Sequence, residues 1–187
     1  MVLQIPEITR LYQTHGAARY GAEKVTQLQH ALQCAQLAEK SGADAALIVA
    51  ALLHDLGHML ASYKEALPAD AEDAHEYVAI PFLRGQFPQS VTEPIRLHNE
   101  AKRYICAMDR SCLEALSPAS IRSLTLRGGP FSASEATLFI RQPFATESVL
   151  LRRWDDLAID PSVRTPGWSH FLHYLERASK PASLQAA

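Results

Sequence analysis

Cysteine is scarce in this chain, and no apolar run in it is long. The 187 residues include three cysteines, Cys34, Cys106 and Cys112, which are odd in number and form no Cys-x-x-Cys pair. Neither a disulfide framework nor a zinc site built on thiolates is therefore expected, and a reducing, cytoplasmic location is favoured. The longest apolar run, residues 45–53, is far too short to cross a lipid bilayer. These features predict a soluble protein without membrane contact.

A strong charge of either sign is also missing. The formal net charge of -2 gives no electrostatic reason to expect binding to nucleic acid or to an anionic membrane. Pro6 and Glu7 interrupt the N-terminal apolar residues before they reach the length of a signal peptide. A chain of this length can bury one well-packed core. We expect one domain over residues 1–178, a flexible tail over 179–187 and a small-molecule partner, with the oligomeric state left open.

Helical periodicity and capping residues dominate the chain, and no stretch alternates apolar and polar residues as a half-buried strand does. Asp44 is the predicted N-cap of a helix that continues without a break through the apolar run to about Met59. Thr92 is predicted to cap a helix that has Pro94 in its first turn. The segment 68–73 is a predicted polar connector. The fold class that follows is all-α.

Histidines and aspartates collect on these predicted helices. His54 and Asp55 follow directly on the apolar run, where a buried carboxylate needs a cation or another partner. His30 on the preceding helix and Asp155 late in the chain complete the order His, His-Asp, Asp. Imidazole nitrogen and carboxylate oxygen suit borderline divalent metals such as iron, manganese or zinc. The four side chains therefore predict a metal site.

Further histidines leave the number of metal ions open. His75 and His98 lie on separate predicted helices and add enough ligands for a second ion if Asp55 bridges the pair, although a single ion is the alternative. Lys102 lies one helical turn after His98, and Arg152 lies three residues before the last aspartate of the pattern. Such cations can bind the oxygens of an anionic group through charge-assisted hydrogen bonds. An anionic substrate beside the metal is therefore expected.

This pattern resembles the HD-domain superfamily of metal-dependent proteins over nearly the whole chain, and more closely the PhnZ-type branch. The motifs that carry the closer resemblance are Gln27-Leu-Gln-His30, Ser41-Gly-Ala-Asp44, Ala51-Leu-Leu-His-Asp-Leu-Gly-His58, His98-x-x-Ala-Lys-Arg-Tyr104, Gly128-Gly-Pro130 and Arg152-x-Trp-Asp155. They follow the order of the family at similar spacing. Members of the branch are mixed-valent di-iron oxygenases that cleave the carbon–phosphorus bond of 1-hydroxy-phosphonates. The resemblance implies a single-domain helical bundle around a dinuclear site.

The resemblance also implies a role for each matched residue. One iron would be bound by His30, His54, Asp55 and Asp155. The other would be bound by His75 and His98, with Asp55 as the bridge. The positions that would face the substrate are His58, Lys102, Ser120 and Arg152. Tyr20 matches a mobile tyrosine that covers the metal when substrate is absent, and Glu23 matches a carboxylate that meets the ammonium group of the substrate. His58, Lys102 and Tyr20 would take part in catalysis.

The implied reaction uses O2 and an Fe(II)/Fe(III) pair to cleave a 1-hydroxy-(amino)alkylphosphonate, for example 2-amino-1-hydroxyethylphosphonate to glycine and inorganic phosphate. The alternative is an HD phosphohydrolase that acts on a phosphate ester or nucleotide, because the metal ligands alone fit both reactions. Tyr20, Glu23 and the segment 98–102 favour the oxygenase. A non-catalytic HD module is disfavoured because no expected ligand is missing.

Overall fold

The computed structural model describes residues 2–60, 75–116 and 118–181. Within these residues the regular structure is helical, and the one β-type contact is an isolated antiparallel bridge between Arg19 and Thr26. The helices are α1 (Ile5–His15), α2 (Gln27–Lys40), α3 (Ala45–Leu53), α4 (Leu56–Met59), α5 (His75–Leu83), α6 (Gln89–Met108), α7 (Arg110–Ala115), α8 (Pro118–Leu126), α9 (Ala133–Ile140), α10 (Ala145–Leu157) and α11 (Trp168–Ala178). The predicted all-α class is confirmed.

Helix α3 lies at the centre of the fold. Asp44 caps it as predicted, because its carboxylate accepts a hydrogen bond of 2.9 Å from the Leu47 N–H. All residues from Leu47 to Leu53 are buried, and α3 contacts α2, α6, α10 and α11. A helix that is apolar on every side requires such neighbours all round it. Whatever follows the last turn of α3 therefore enters the interior of the protein.

The helix is interrupted at His54 and Asp55, between α3 and α4. The prediction of one uninterrupted helix to Met59 is therefore wrong. The last carbonyls of a helix lack partners within it. Here the His54 Nδ1–H donates to the Ala51 carbonyl at 2.9 Å, and the Tyr12 hydroxyl donates to the Leu52 carbonyl at 2.7 Å. These long-range and side-chain bonds satisfy the end of α3. Because the helix is interrupted there, His54 and Asp55 need not point in the directions that a continuous helix would give them.

Helix α6 is longer than predicted. It begins at Gln89 instead of after Thr92, so that Pro94 lies inside the helix and not in its first turn. The buried side chains of Phe87 and Val91 hold the earlier start against the core. Helix α6 packs along α10 and against α3 and α5. It therefore brings its buried face to the same region as the end of α3.

The expectation of unpaired cysteines is wrong for two of the three. Asp109 adopts an extended conformation, which ends α6 and turns the chain into α7. This turn brings Cys106 and Cys112 to a Cα–Cα distance of 5.2 Å, and their sulfurs form a disulfide. Such a pair arises from the turn and is invisible in the spacing of the cysteines. Cys34 is free and buried on α2.

Some expectations concern residues outside the described ranges. The polar connector at 68–73 and residues 182–187 of the expected tail are among them. The domain boundary at residue 178 stays a prediction, although α11 ends at Ala178. No helix in the described part of the chain combines the length and the hydrophobicity needed to cross a membrane.

Candidate metal centre

Side chains from five parts of the fold meet beside the end of α3. They are His30 from α2, His54 and Asp55 from the junction of α3 and α4, His75 from the first residue of α5, His98 from α6 and Asp155 from α10. All of them are buried except His75, whose side chain is 13% exposed. The six metal ligands expected from the sequence therefore come together in one region, although their role as ligands stays a prediction.

Four of these side chains form a compact group, here called the first cluster, made of His30, His54, Asp55 and Asp155. The Nε2 atoms of His30 and His54 are 3.2 Å apart. Asp55 Oδ2 lies 3.5 and 3.3 Å from these two nitrogens, and Asp155 Oδ1 lies 3.3 and 3.6 Å from them. Donor atoms that bind one ion at about 2.1 Å are about 3.0–3.6 Å apart. The spacing fits a single metal ion between the four side chains.

The tautomers of the histidines support the same interpretation. The Nδ1–H of His30 donates to the Ala158 carbonyl at 2.9 Å, and that of His54 donates to the Ala51 carbonyl at 2.9 Å. The proton on Nδ1 leaves each Nε2 with its lone pair, which is the arrangement found for histidines that bind metals. Two Nε2 atoms 3.2 Å apart repel each other unless a proton or a metal ion lies between them. The geometry therefore favours an ion at this point.

The second cluster consists of Asp55, His58, His75 and His98. His75 Nε2 lies 2.9 Å from Asp55 Oδ1 and 3.2 Å from His98 Nε2. His98 donates its Nδ1–H to the Ile95 carbonyl at 2.6 Å, so its Nε2 also carries a lone pair. His58 stacks on His75 at a ring distance of 4.0 Å, and its Nε2 lies 3.8 Å from Asp55 Oδ1. Asp55 thus directs one oxygen to each cluster.

The charge of the two clusters also calls for cations. Burial by itself raises the pKa of Asp55, but the charges of His54 and His75 outweigh burial and hold this pKa well below its ordinary value. Burial lowers the pKa of His54, and the charge of Asp55 reverses this effect and raises that pKa. Asp55 Oδ2 is buried and makes no hydrogen bond. An ionised, unsatisfied carboxylate oxygen among imidazoles is what a metal ion would complete.

Comparison with known proteins agrees with this geometry. The model of the HD domain matches residues 28–158, a range that contains both clusters. The chain belongs to the HD-domain family. It is 44% identical over 165 residues to the hydroxymethylphosphonate dioxygenase of Gimesia maris. This alignment covers 87% of this chain and 82% of that protein.

Two other relatives align over similar lengths. The HD-domain chain is 36% identical over 168 residues to the glycine-betaine-forming 1-hydroxy-2-(trimethylamino)ethylphosphonate dioxygenase of Leisingera caerulea, a match that covers 89% of this chain and 86% of the relative. It is 31% identical over 159 residues to an uncharacterized protein of Acanthamoeba polyphaga mimivirus, covering 83% and 73% of the two chains. The two relatives with named activities are both phosphonate dioxygenases.

Two buried cations of this HD-domain protein lie beside the first cluster, as the sequence predicted. Arg152 binds Asp155 Oδ2 through Nη1 at 2.7 Å, and its Nη2 contacts Asp156 Oδ1. Burial and then the charge of Arg152 lower the pKa of Lys102 to about 8. Lys102 is only 4% exposed, yet its amino group makes no hydrogen bond or ion pair within the described residues. The amino group of this largely buried side chain is therefore available for an anionic ligand.

Tyr20 covers the first cluster. Its ring stacks on His30 at a centroid distance of 3.8 Å and an interplanar angle of 11°, and its hydroxyl donates to Asp155 Oδ1 at 3.3 Å. Glu23 is half-buried in the turn after Tyr20, where its N–H donates to the Tyr20 carbonyl at 2.9 Å. Ser120 is half-buried on α8. The substrate contacts of Glu23 and Ser120 stay predictions.

The contacts of three residues near the clusters were not predicted from the sequence. The Cys34 sulfur lies 3.7 Å from His30 Nε2, one turn along α2, so the four-residue spacing was the available signal. Glu76 is fully buried and bound by Arg127 through two hydrogen bonds of 2.7 and 3.3 Å. No spacing rule links these two residues, which are 51 positions apart.

Proposed function

We propose that this HD-domain protein is a di-iron oxygenase that cleaves the carbon–phosphorus bond of a 1-hydroxyalkylphosphonate. The substrate and one O2 would yield a carboxylate, inorganic phosphate and one proton, with both oxygen atoms of O2 retained in the products. Two irons would supply the redox chemistry and would be held by His30, His54, Asp55, His75, His98 and Asp155. The all-nitrogen-and-oxygen character of this donor set is compatible with iron. The dioxygenase relatives support the use of O2.

The observation that carries the proposal is the orientation of Asp55. Its Oδ2 faces the first cluster, and its Oδ1 lies 2.9 Å from His75 Nε2 in the second. A carboxylate divided in this way suits a bridge between two ions. The arrangement therefore favours two metal ions over one. Because a phosphohydrolase could use the same ligands, the dioxygenase relatives are what favour the oxygenase reaction at this centre.

The cations beside the first cluster suit the phosphonate group. Lys102 and Arg152 are buried, and charge-assisted hydrogen bonds from them would hold phosphonate oxygens in a fixed orientation. His58 and Ser120 would complete the pocket, and His58 is the most exposed imidazole of the second cluster, at 29%. Tyr20 would leave its position over His30 when substrate binds, which would also control the access of water.

The candidate substrates differ in the group attached to the carbon that carries the hydroxyl. Glu23 lies in the turn that carries Tyr20, and its carboxylate has no ion pair within the described residues. We propose that it meets an ammonium group, which favours 2-amino-1-hydroxyethylphosphonate, with glycine as product. Glu23→Gln should then raise KM for this amine by roughly tenfold, the order of one lost ion-pair contact in a desolvated site. KM for hydroxymethylphosphonate, which has no amine, should change little.

Phosphate release with and without O2 tests the reaction class. The iron-loaded protein should release phosphate from a 1-hydroxyphosphonate in air, consume one O2 per phosphate, and stop when O2 is removed. Hydroxymethylphosphonate, 2-amino-1-hydroxyethylphosphonate and its trimethylated form should be compared side by side. Phosphate release that persists without O2, or that occurs from phosphate esters and not from phosphonates, would establish the phosphohydrolase instead.

A further inference from the structure

The buried ion pair of Glu76 and Arg127 lies directly behind His75. Glu76 has no exposed surface, and its two carboxylate oxygens accept hydrogen bonds from Nη1 and Nη2 of Arg127 at 2.7 and 3.3 Å. The same carboxylate presents Oε2 to His75 Nδ1 at 3.7 Å. A buried carboxylate that serves only as a tether is a costly choice, because apolar side chains stabilise an interior equally well. Its position next to a histidine of the second cluster suggests a further role.

His75 differs from His30, His54 and His98 in what lies at its Nδ1. His30, His54 and His98 each donate Nδ1–H to a backbone carbonyl, at 2.9, 2.9 and 2.6 Å. His75 is the first residue of α5, and a carboxylate is the group nearest its Nδ1 among the ion pairs found. A carboxylate behind an imidazole fixes the tautomer and makes Nε2 a stronger donor to a metal.

Arg127 links this carboxylate to another part of the fold. It follows the last residue of α8, the helix that carries Ser120, and precedes Gly128 and Gly129. Both glycines have positive φ values, 91° and 73°, so the chain turns sharply there. Arg103 of α6 holds the turn, since its Nε donates to the Gly129 carbonyl at 2.7 Å. The two hydrogen bonds to Glu76 hold the guanidinium of Arg127, and the bond from Arg103 holds the turn that follows it.

We propose that Glu76 and Arg127 are positioning residues for the metal ion of the second cluster: the Glu76 carboxylate orients the His75 ring from the side of Nδ1, and Arg127 fixes the carboxylate for that task. The inference rests on the dinuclear centre of the proposed function. It predicts that the pair controls the affinity of one ion and leaves the other unaffected, because the ion pairs of Glu76 within the described residues are with His75 and Arg127 and not with the first cluster.

The test is a metal titration that does not require turnover. Metal-free wild type, Glu76→Gln, Arg127→Met and Arg127→Lys are titrated with Fe(II) under anaerobic conditions in competition with a chelator. Co(II) titrations add a spectroscopic signal for the coordination of each ion. Glu39→Gln is the matched control. The Glu39 carboxylate also accepts hydrogen bonds, from the Tyr174 hydroxyl and from His170 Nε2, but it lies outside both clusters.

Wild type should bind two ions, and Glu76→Gln should bind one of them about 10–100-fold less tightly, with an altered Co(II) spectrum for that ion. Arg127→Met should act in the same direction, Arg127→Lys should recover part of the affinity, and the control should match wild type. If both ions bind Glu76→Gln with unchanged affinity while its Tm falls, the pair is only a tether and the inference is wrong. If Glu76→Gln does not fold, the two Arg127 variants decide by the same criterion. Wild type that binds a single ion would overturn the dinuclear centre itself.

Discussion

Asp55 and Lys102 are the two residues of the proposed centre whose burial is least favourable without a ligand. Asp55 is buried and ionised, and it divides its oxygens between two groups of histidines. Lys102 is buried without an ion-pair partner in the described residues. Both arrangements are costly in a folded protein unless a ligand offsets them, and this cost is a common property of functional sites. Each residue should therefore trade stability against binding.

Replacement of Lys102 should stabilise the metal-free protein. Its pKa is lowered to about 8, mainly by burial, whereas the unfolded chain has the ordinary value near 10.5. The charged lysine therefore destabilises the folded protein most below pH 8. This destabilisation disappears as the pH rises toward 10.5. We expect Lys102→Met to raise the free energy of unfolding by on the order of 3 kcal/mol at neutral pH, and to abolish activity. Denaturant unfolding in the presence of chelator measures this difference.

The pH profile provides the control for this prediction. The gain in stability of Lys102→Met over wild type should shrink steadily between pH 8 and 10.5, because both side chains are neutral at the upper end. Comparison of the two proteins removes the contributions of other titrating groups. A difference that stays constant over this range would show that the lysine is not buried as a charged group.

Removal of the Tyr20 hydroxyl should favour substrate binding. The hydroxyl donates to Asp155 at 3.3 Å, while the ring stacks on His30. A hydrogen bond to a charged group contributes about 1.5–3 kcal/mol, so its loss weakens the closed position. We expect Tyr20→Phe to lower KM by roughly tenfold or more in steady-state assays. Tyr104→Phe, whose ring packs on Phe139 at 5.5 Å, is the control and should leave KM unchanged. An increase in KM would instead assign Tyr20 to substrate binding.

Helices α4 and α6 show how single elements bring the ligands together. Helix α6 has two parallel stripes: Leu97 and Ala101 pack in a small apolar cluster with residues of α9 and α10, whereas His98 and Lys102 lie next to them in sequence and turn toward the metal centre. The four-residue helix α4 has another task. It carries Gly57, which allows the backbone of α5 to approach closely.

Gly57→Ala should displace α5 and with it His75. A Cβ atom at position 57 would lie 2.0 Å from the His75 carbonyl oxygen, and backbone cannot yield as a side chain does. We expect a loss of about 1–3 kcal/mol in the free energy of unfolding and weaker binding of the second ion. Gly167→Ala is the control, since no atom lies within 4 Å of its Cβ position. Metal titration and denaturant unfolding should separate the two variants; equal behaviour would mean that α5 adjusts without cost.

At the scale of the whole molecule, the metal centre joins helices that are far apart in the chain. The large core surrounds α3, and the smaller cluster lies between α6, α9 and the start of α10. The proposed metal ligands come from α2, the α3–α4 junction, α5, α6 and α10, which span His30 to Asp155. Bound ions would therefore hold together elements whose contacts otherwise depend on apolar packing.

Metal binding should raise the thermal stability of the entire fold. One ion at about 100 times its Kd stabilises the native state by about 2.7 kcal/mol, which corresponds to several degrees in Tm for a chain of this size. We expect the Tm of metal-free protein to rise by roughly 5–10 °C on addition of Fe(II) under anaerobic conditions. Asp55→Asn should show little of this increase, and Glu39→Gln should show all of it. A Tm that ignores metal in wild type would contradict the proposed centre.

The sequence by itself was enough for the helical class, most helix positions and the identity of the clustered residues. Those features depend on local physics: the spacing of apolar residues, N-caps such as Asp44, and the preference of imidazole and carboxylate for metal ions. The HD-domain resemblance supplied the expected role of each residue, and the match to the HD-domain family confirmed that the chain belongs to it.

Tertiary structure alone decided the break after α3, the early start of α6, the Cys106–Cys112 disulfide and the ion pair of Glu76 with Arg127. Each depends on contacts between residues whose proximity follows from packing and not from spacing. The Tyr12 hydroxyl, for example, satisfies a carbonyl forty residues away and so helps to end α3 where it does. That ending turns Asp55 toward both clusters, because a carboxylate on a continued helix would have followed the helical repeat.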